Sequence, residues 1–131
     1  MFVTDTHPLL WHSTGKNSYL PDKVSAAFQK AETGQTLIYI PAVVLLEVAV
    51  LEQLGKIKLN ERYDRWAKNL LAKNGFDVVP LEPAVNARAV GFNFNNDLFD
   101  KIIVASALEV DAPLITKDIA ITESNLVEIY W

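Results

Sequence analysis

Five carboxylates in this 131-residue chain, Asp5, Glu47, Asp97, Asp100 and Asp118, stand where chemistry could use them. Asp5 directly follows Phe2-Val3-Thr4, and Asp118 comes shortly after Leu114-Ile115-Thr116. Both runs read as buried strands, and sites in open parallel sheets form beyond the carboxyl ends of strands. Each Asp taken alone reads more readily as a helix cap or turn former than as a catalytic acid. Asp97 and Asp100 open Asp97-Leu98-Phe99-Asp100-Lys101-Ile102-Ile103. That spacing favours a helix start and also sets two carboxylates on one side of it. Glu47 interrupts an apolar run, with Val43, Val44, Val50 and Leu51 as its helical neighbours and no Lys or Arg within a turn. It is expected in or beside the core, where a carboxylate must be ion-paired, protonated or metal-bound, unless it sits at an exposed gap in the apolar surface. Carboxylates brought together repel and call for cations. Hard oxygen ligands without Cys suit Mg²⁺ or Mn²⁺, ions that polarise a phosphodiester and activate water, so the chemistry indicated is phosphoryl chemistry.

The elements that must position these acids follow from periodicity and punctuation. Residues 2–4 read as a short strand, and Thr6-His7-Pro8 as a helix start in which Pro8 lies in the first turn. A helix over 21–32 stops at Gly34, a strand covers 36–40, and an apolar helix runs from Pro41 to about Leu54, closed by Gly55. Tyr63, Trp66, Ala67, Leu70 and Leu71 share one face of a helix over 60–73. A strand over 76–79, helices over 83–90 and 97–110, and strands over 114–116 and 127–131 complete the chain. Strands alternating with helices predict an α/β three-layer sandwich, a mainly parallel central sheet flanked by helices. With no repeat or linker, residues 1–131 read as a single domain.

Composition narrows the function classes. The chain is 50% hydrophobic and 21% charged, as in ordinary globular proteins, and lacks cysteine, which removes disulfide, zinc-finger and thiol chemistry. A net charge of −4 argues against a binder that relies on a basic patch. It does not argue against an enzyme whose acids hold metal ions, because the ions supply the positive charge. The first residues reach Asp5 without a basic region, and the apolar stretch 39–51 is too short to span a bilayer and contains Glu47. A cytoplasmic protein off the membrane is expected, in keeping with the absent cysteines.

The order of motifs resembles the PIN-domain ribonucleases, and among them the VapC-type toxins of toxin–antitoxin pairs. The residues that carry the resemblance are Val3-Thr4-Asp5-Thr6-His7-Pro8-Leu9-Leu10-Trp11, Leu46-Glu47-Val48-Ala49 and Leu54-Gly55-Lys56-Ile57-Lys58-Leu59. Gly75-Phe76-Asp77-Val78-Val79-Pro80-Leu81, the Asp97 to Ala107 segment and Leu114-Ile115-Thr116-Lys117-Asp118 extend it nearly end to end. The resemblance implies that Asp5, Glu47 and Asp100 are the core metal-binding acids and Asp118 the fourth. It makes Thr116 the small hydroxyl residue that accompanies the last acid, and Asp97 an additional acid. It also implies hydrolysis of RNA by metal-activated water with Mg²⁺ or Mn²⁺, a homodimer, and a cognate antitoxin that lays a segment over the acidic site. The helix pair over 41–54 and 60–73 is expected to supply an apolar groove for that segment. The chain departs from the pattern at Leu46, where Trp often precedes the glutamate, and at Pro41 or Ala42, often Ser. It departs again at Asn95-Asn96, often His-Arg, and at Leu98, often Pro. None of these is a metal ligand; they bear on RNA contacts and substrate choice.

Other polar and aromatic residues have plainer readings. His7 and His12 read as surface polar residues, with contact to substrate or a second subunit the alternative for His7. Trp11 reads as core packing rather than base stacking. Lys101, Lys117 and Arg88 read as solvated charge, with phosphate contact the alternative. Two other function classes fit parts of the pattern. A PIN-like binding module without catalysis would retain the fold but has no reason to keep all four acids. A receiver-type signalling domain needs paired acids at the first strand end, where only Asp5 stands, and a mid-chain acceptor at a strand end, whereas Asp77 falls within a strand.

Overall fold

The computed structural model describes all 131 residues. The elements in order are β1 (Phe2–Thr4), α1 (Thr6–Ser13), a 3-10 turn (Asn17–Tyr19), α2 (Asp22–Glu32), β2 (Ile38–Pro41) and α3 (Ala42–Gln53). Then follow α4 (Tyr63–Leu71), β3 (Phe76–Val79), α5 (Pro83–Val90), α6 (Leu98–Glu109), β4 (Leu114–Ile115) and α7 (Ile119–Ser124). The four strands form one parallel sheet in the order β3-β2-β1-β4. Parallel pairing requires each connection to cross back over a sheet face, and helices make every one of these crossings. The expected α/β architecture, a parallel sheet flanked by helices, is the one observed.

Strand order reverses at β1. The chain steps from β1 to β2 and β3 on one side, then returns to place β4 on the other, with Thr4 opposite Ile115. Such a reversal opens a crevice beyond the carboxyl ends of the two strands, here at Asp5 and at Thr116 to Asp118. Beneath the crevice lies a core of 27 buried residues drawn from every layer. Helix α6 contributes most continuously: Ile102 to Ala107 are all buried, and the Ser106 hydroxyl within that run donates to the Ile102 carbonyl at 2.8 Å. A helix apolar on all sides belongs inside, and α6 packs against α3, α5, β1 and β2. Gly75, at the entry to β3, passes so close to Ala31 at the end of α2 that a Cβ there would stand 1.8 Å from the Ala31 carbonyl oxygen.

Two expectations at the carboxyl end are corrected. Residues 127–131 do not form a strand; they make a single parallel bridge, Ile129 to Leu114. Strand β4 is two residues long and offers little ladder to extend. The tail is fastened instead by the Tyr130 amide donating to the Leu114 carbonyl at 2.9 Å and by the Tyr130 ring, 4.5 Å from Phe2. The helix α7 was not expected, although Asp118 caps its start and Asn125 ends it in the left-handed conformation, φ 55°. Both are ordinary helix stop and start signals. No helix is long and apolar enough to cross a membrane.

Candidate active site

Three of the five acids cap helices. Asp5 starts α1, its Oδ1 accepting the Thr6 amide at 2.7 Å. Asp97 starts α6, its Oδ1 accepting from the amides of Phe99 at 2.9 Å and Asp100 at 3.4 Å. Asp118 starts α7, its Oδ1 accepting from the Ile121 amide at 2.8 Å. The capping reading of these residues is therefore correct, and it does not displace the functional one. A cap uses one lone pair of a carboxylate and leaves others able to accept a further partner, and the helix amino ends stabilise negative charge drawn towards them.

Thr116 ties the two strand ends together. Fully buried, it donates its hydroxyl to Asp5 Oδ2 at 2.7 Å, while its Oγ1 accepts the Asp118 amide at 3.0 Å. One side chain thus orients the acid after β1 and the loop after β4. Asn95, noted in the sequence only as a departure from the family pattern, does the same work at α6. Its Oδ1 accepts the Asp97 amide at 3.0 Å and its Nδ2 donates to Asp100 Oδ2 at 2.9 Å. An Asn two residues before a helix cap is a known local turn pattern, and that was the available signal.

The electrostatics identify which acids act on Asp5 and Asp100. Asp100, lifted by burial first and then by Asp97, Asp5 and Asp118, is pushed up to about 7 despite the Asn95 hydrogen bond. Burial also raises Asp5, with Asp118 adding to it, against the hydrogen bonds from Thr116 and Thr6 and the charge of His7. Asp100 therefore feels the other three Asp residues, and Asp5 feels Asp118. None of the four is in a direct ion pair: the chain's ion pairs are His12–Glu32, Lys73–Glu32, Arg65–Glu61 and Arg88–Glu109. Glu47 is half-buried on α3, makes neither a hydrogen bond nor an ion pair, and is not among the main charges acting on Asp5 or Asp100. The apolar residues around it include a solvent-facing stripe: Leu46 is 53%, Val50 39% and Leu54 63% exposed.

Mutually repelling carboxylates without a cation are the donor set a hard divalent ion would satisfy, so Asp5, Asp97, Asp100 and Asp118 fit Mg²⁺ or Mn²⁺. No three acidic or histidine side chains close into a ready-made ligand cage. Mg²⁺ tolerates this openness, since it keeps several waters and takes few carboxylates. A cavity of about 460 Å³ opens beside two of the acids, Asp5 and Asp118, with His7, Trp11 and Lys117 also in its lining. Trp11 is thus not only a core residue. Its ring packs on the core and also forms a cavity wall, with the Lys117 ammonium 4.8 Å from its centre and His7 at 5.8 Å. His12 is not a surface residue either: it stacks on Phe28 at 4.7 Å, and its Nε2 lies 2.8 Å from Glu32 Oε1.

The fold is similar to that of several solved structures. FitAcB from Neisseria gonorrhoeae matches with a TM-score of 0.68 at 16% identity, covering 100% of this chain and 97% of that one. VapBC2 from Rickettsia felis, bound to a DNA fragment from its promoter, matches at 0.66 and 16%, covering 98% and 96%. A toxin–antitoxin complex from Klebsiella pneumoniae matches at 0.57 and 18%, covering 90% and 87%. No curated protein matches the sequence. The family model for the PIN domain matches residues 2–123, nearly the whole length over which the acids, their caps and the parallel sheet are built. The chain belongs to the PIN domain family.

Proposed function

We propose that the chain is a Mg²⁺- or Mn²⁺-dependent endoribonuclease, one nuclease unit over residues 1–131, acting as the toxin of a toxin–antitoxin pair. The observation that carries this reading is a set of four Asp carboxylates outside any ion pair, in which burial first and then the other three Asp charges push Asp100 up to about 7. Asp5, Asp97, Asp100 and Asp118 would hold the metal, with Glu47 a further ligand from α3 and Thr116 fixing Asp5. When bound, the ion supplies Lewis acidity towards a phosphodiester oxygen and an acidified water. The chain's own residues orient the parts: Thr116 and the Thr6 amide hold Asp5, and Asn95 holds Asp100. Asp100 keeps or releases its proton near neutral pH, so metal entry should displace that proton.

The similar structure from Klebsiella pneumoniae is a toxin–antitoxin complex, which supports a cognate antitoxin as partner. The exposed Leu46, Val50 and Leu54 stripe on α3 suits burial by an antitoxin segment or by a second subunit of a homodimer. A cytoplasmic site of action fits such a toxin. Purified protein is expected to cleave RNA with Mg²⁺ or Mn²⁺ and to stop in EDTA; undiminished cleavage in EDTA would sink the reading. Overexpression without the partner is expected to arrest growth, and Asp5→Asn to relieve the arrest. The open ligand set favours one other reading, a PIN-like binding module without catalysis. RNA that is bound but left intact in both metals would establish that reading.

A further inference from the structure

The cavity beside Asp5 and Asp118 shares a wall with a second one. His7 and Trp11 line both, and beyond them lies a cavity of about 210 Å³ whose lining includes Lys16, Lys56 and Lys58 and no acidic residue. With Lys117 in the first cavity, four of the chain's nine lysines line this joined path. All four are exposed, and none forms an ion pair. That is a concentrated feature in a chain of net charge −4.

Local structure explains how the lysines reach this place. Gly15 and Gly55, at φ 74° and 70°, end α1 and α3 in the left-handed conformation, and a lysine follows each. The Lys16 amide donates to the Trp11 carbonyl at 2.8 Å and the Lys56 amide to the Leu51 carbonyl at 2.9 Å, which turns both chains back towards α1. Ile57 packs on the core, so Lys56 and Lys58 on either side of it stay outside.

We infer that this groove is the path of single-stranded RNA leading away from the cleaved bond. The acids receive one phosphodiester, and the strand on one side of it crosses the His7–Trp11 wall so that Lys16, Lys56 and Lys58 each meet a phosphate. A polyanion approaching an acidic rim is repelled, and the lysines offset that repulsion on this flank. The groove therefore also sets direction, favouring substrates that extend several nucleotides on that flank. Trp11, aromatic and half-exposed between the two charge types, is the surface on which a base would stack. The inference rests on the nuclease reading for its purpose but is tested apart from it.

The test measures binding of a labelled single-stranded RNA by fluorescence anisotropy, in EDTA and in an Asp100→Asn background, across a range of KCl concentrations. Lys16→Gln, Lys56→Gln and Lys58→Gln together should raise Kd about tenfold or more at low salt. Each lost single-strand phosphate contact removes about 0.7 from the slope of log K against log salt, so the slope should flatten by about 2. The matching Arg triple should retain binding, which separates charge from folding. A control triple of equal charge, Lys23→Gln, Lys30→Gln and Lys68→Gln, should stay within about twofold of the parent. Equal losses from both Gln triples would overturn the path in favour of a diffuse charge effect. Equal losses for duplex and single strand would overturn the single-strand assignment. Groove-dependent binding by a wild type that never cleaves would leave the path standing and sink the nuclease reading. Cleavage with RNA binding indifferent to the groove triple would do the reverse.

Discussion

The start of α6 and the middle of α3 each carry a carboxylate on a helix rich in apolar residues, yet the two acids are in opposite states. Asp100 lies one turn into α6, tethered by Asn95, facing Asp97, Asp5 and Asp118, and pushed up to about 7. Glu47 sits in mid-helix with no tether and no partner, beside leucines that face solvent. Apolar sequence around an acid therefore does not by itself bury it. Asp100 is held by a helix that is interior on nearly every side, whereas α3 is interior along Val43, Val44 and Val48 and open along Leu46, Val50 and Leu54. The proposed site would have a tethered Asp half and an untethered Glu half.

The largest expected effect falls on the tethered half. Asp100→Asn should reduce metal-dependent RNA cleavage by more than about 100-fold, beyond what loss of a supporting hydrogen bond costs a metal site. Activity within tenfold of wild type would remove Asp100 from the centre of the site. Next, Thr116→Val keeps the shape but leaves Asp5 without its donor and the Asp118 amide without its acceptor. Stability should fall by about 1–3 kcal/mol, read as a melting temperature lower by several degrees. An unchanged melt would show that Asp5 is oriented by its cap alone.

A smaller effect should appear in the pH profile. Asp100 has a folded-state value near 7 against an ordinary 3.8, so the folded state binds the extra proton between those limits. Its contribution is complete below about pH 3.8 and is lost as pH rises through 7. In EDTA the wild type should therefore lose stability relative to Asp100→Asn over that window, and parallel profiles would refute the raised value. The smallest expected change is at Glu47. Glu47→Gln in EDTA should melt within about 0.5 kcal/mol of wild type, since no partner is stranded. The same variant should lose part of the stabilisation that Mg²⁺ or Mn²⁺ gives through linkage. A large loss in EDTA would make Glu47 structural and erase the contrast between the two helices.

Much of the frame was legible beforehand because it is written in local signals. Pro83 to Val90 is a helix over the residues its Pro start and Gly91 stop enclose, and β1, α2 and β3 lie where hydrophobic runs and glycines put them. The helix over 60–73 proved shorter, Tyr63–Leu71, and the strand over 36–40 moved to Ile38–Pro41, because sheet register and packing set element ends. The tail at 127–131 has strand composition, but a β-ladder needs a neighbour, and β4 is too short to be one.

Residue type and order alone determined that the acids belong to strand ends and helix starts, since an Asp after an apolar run or before a helix is recognisable from its neighbours. Tertiary structure alone decided which of them feel each other. Asp5 and Thr116 are 111 residues apart and meet only because β4 crosses back to pair with β1. It also decided that Trp11 walls a cavity and that lysines after two separate helices line one groove. Charge and capping are local properties of a chain; proximity and exposure are properties of the packed whole, where strand order and helix faces are chosen together.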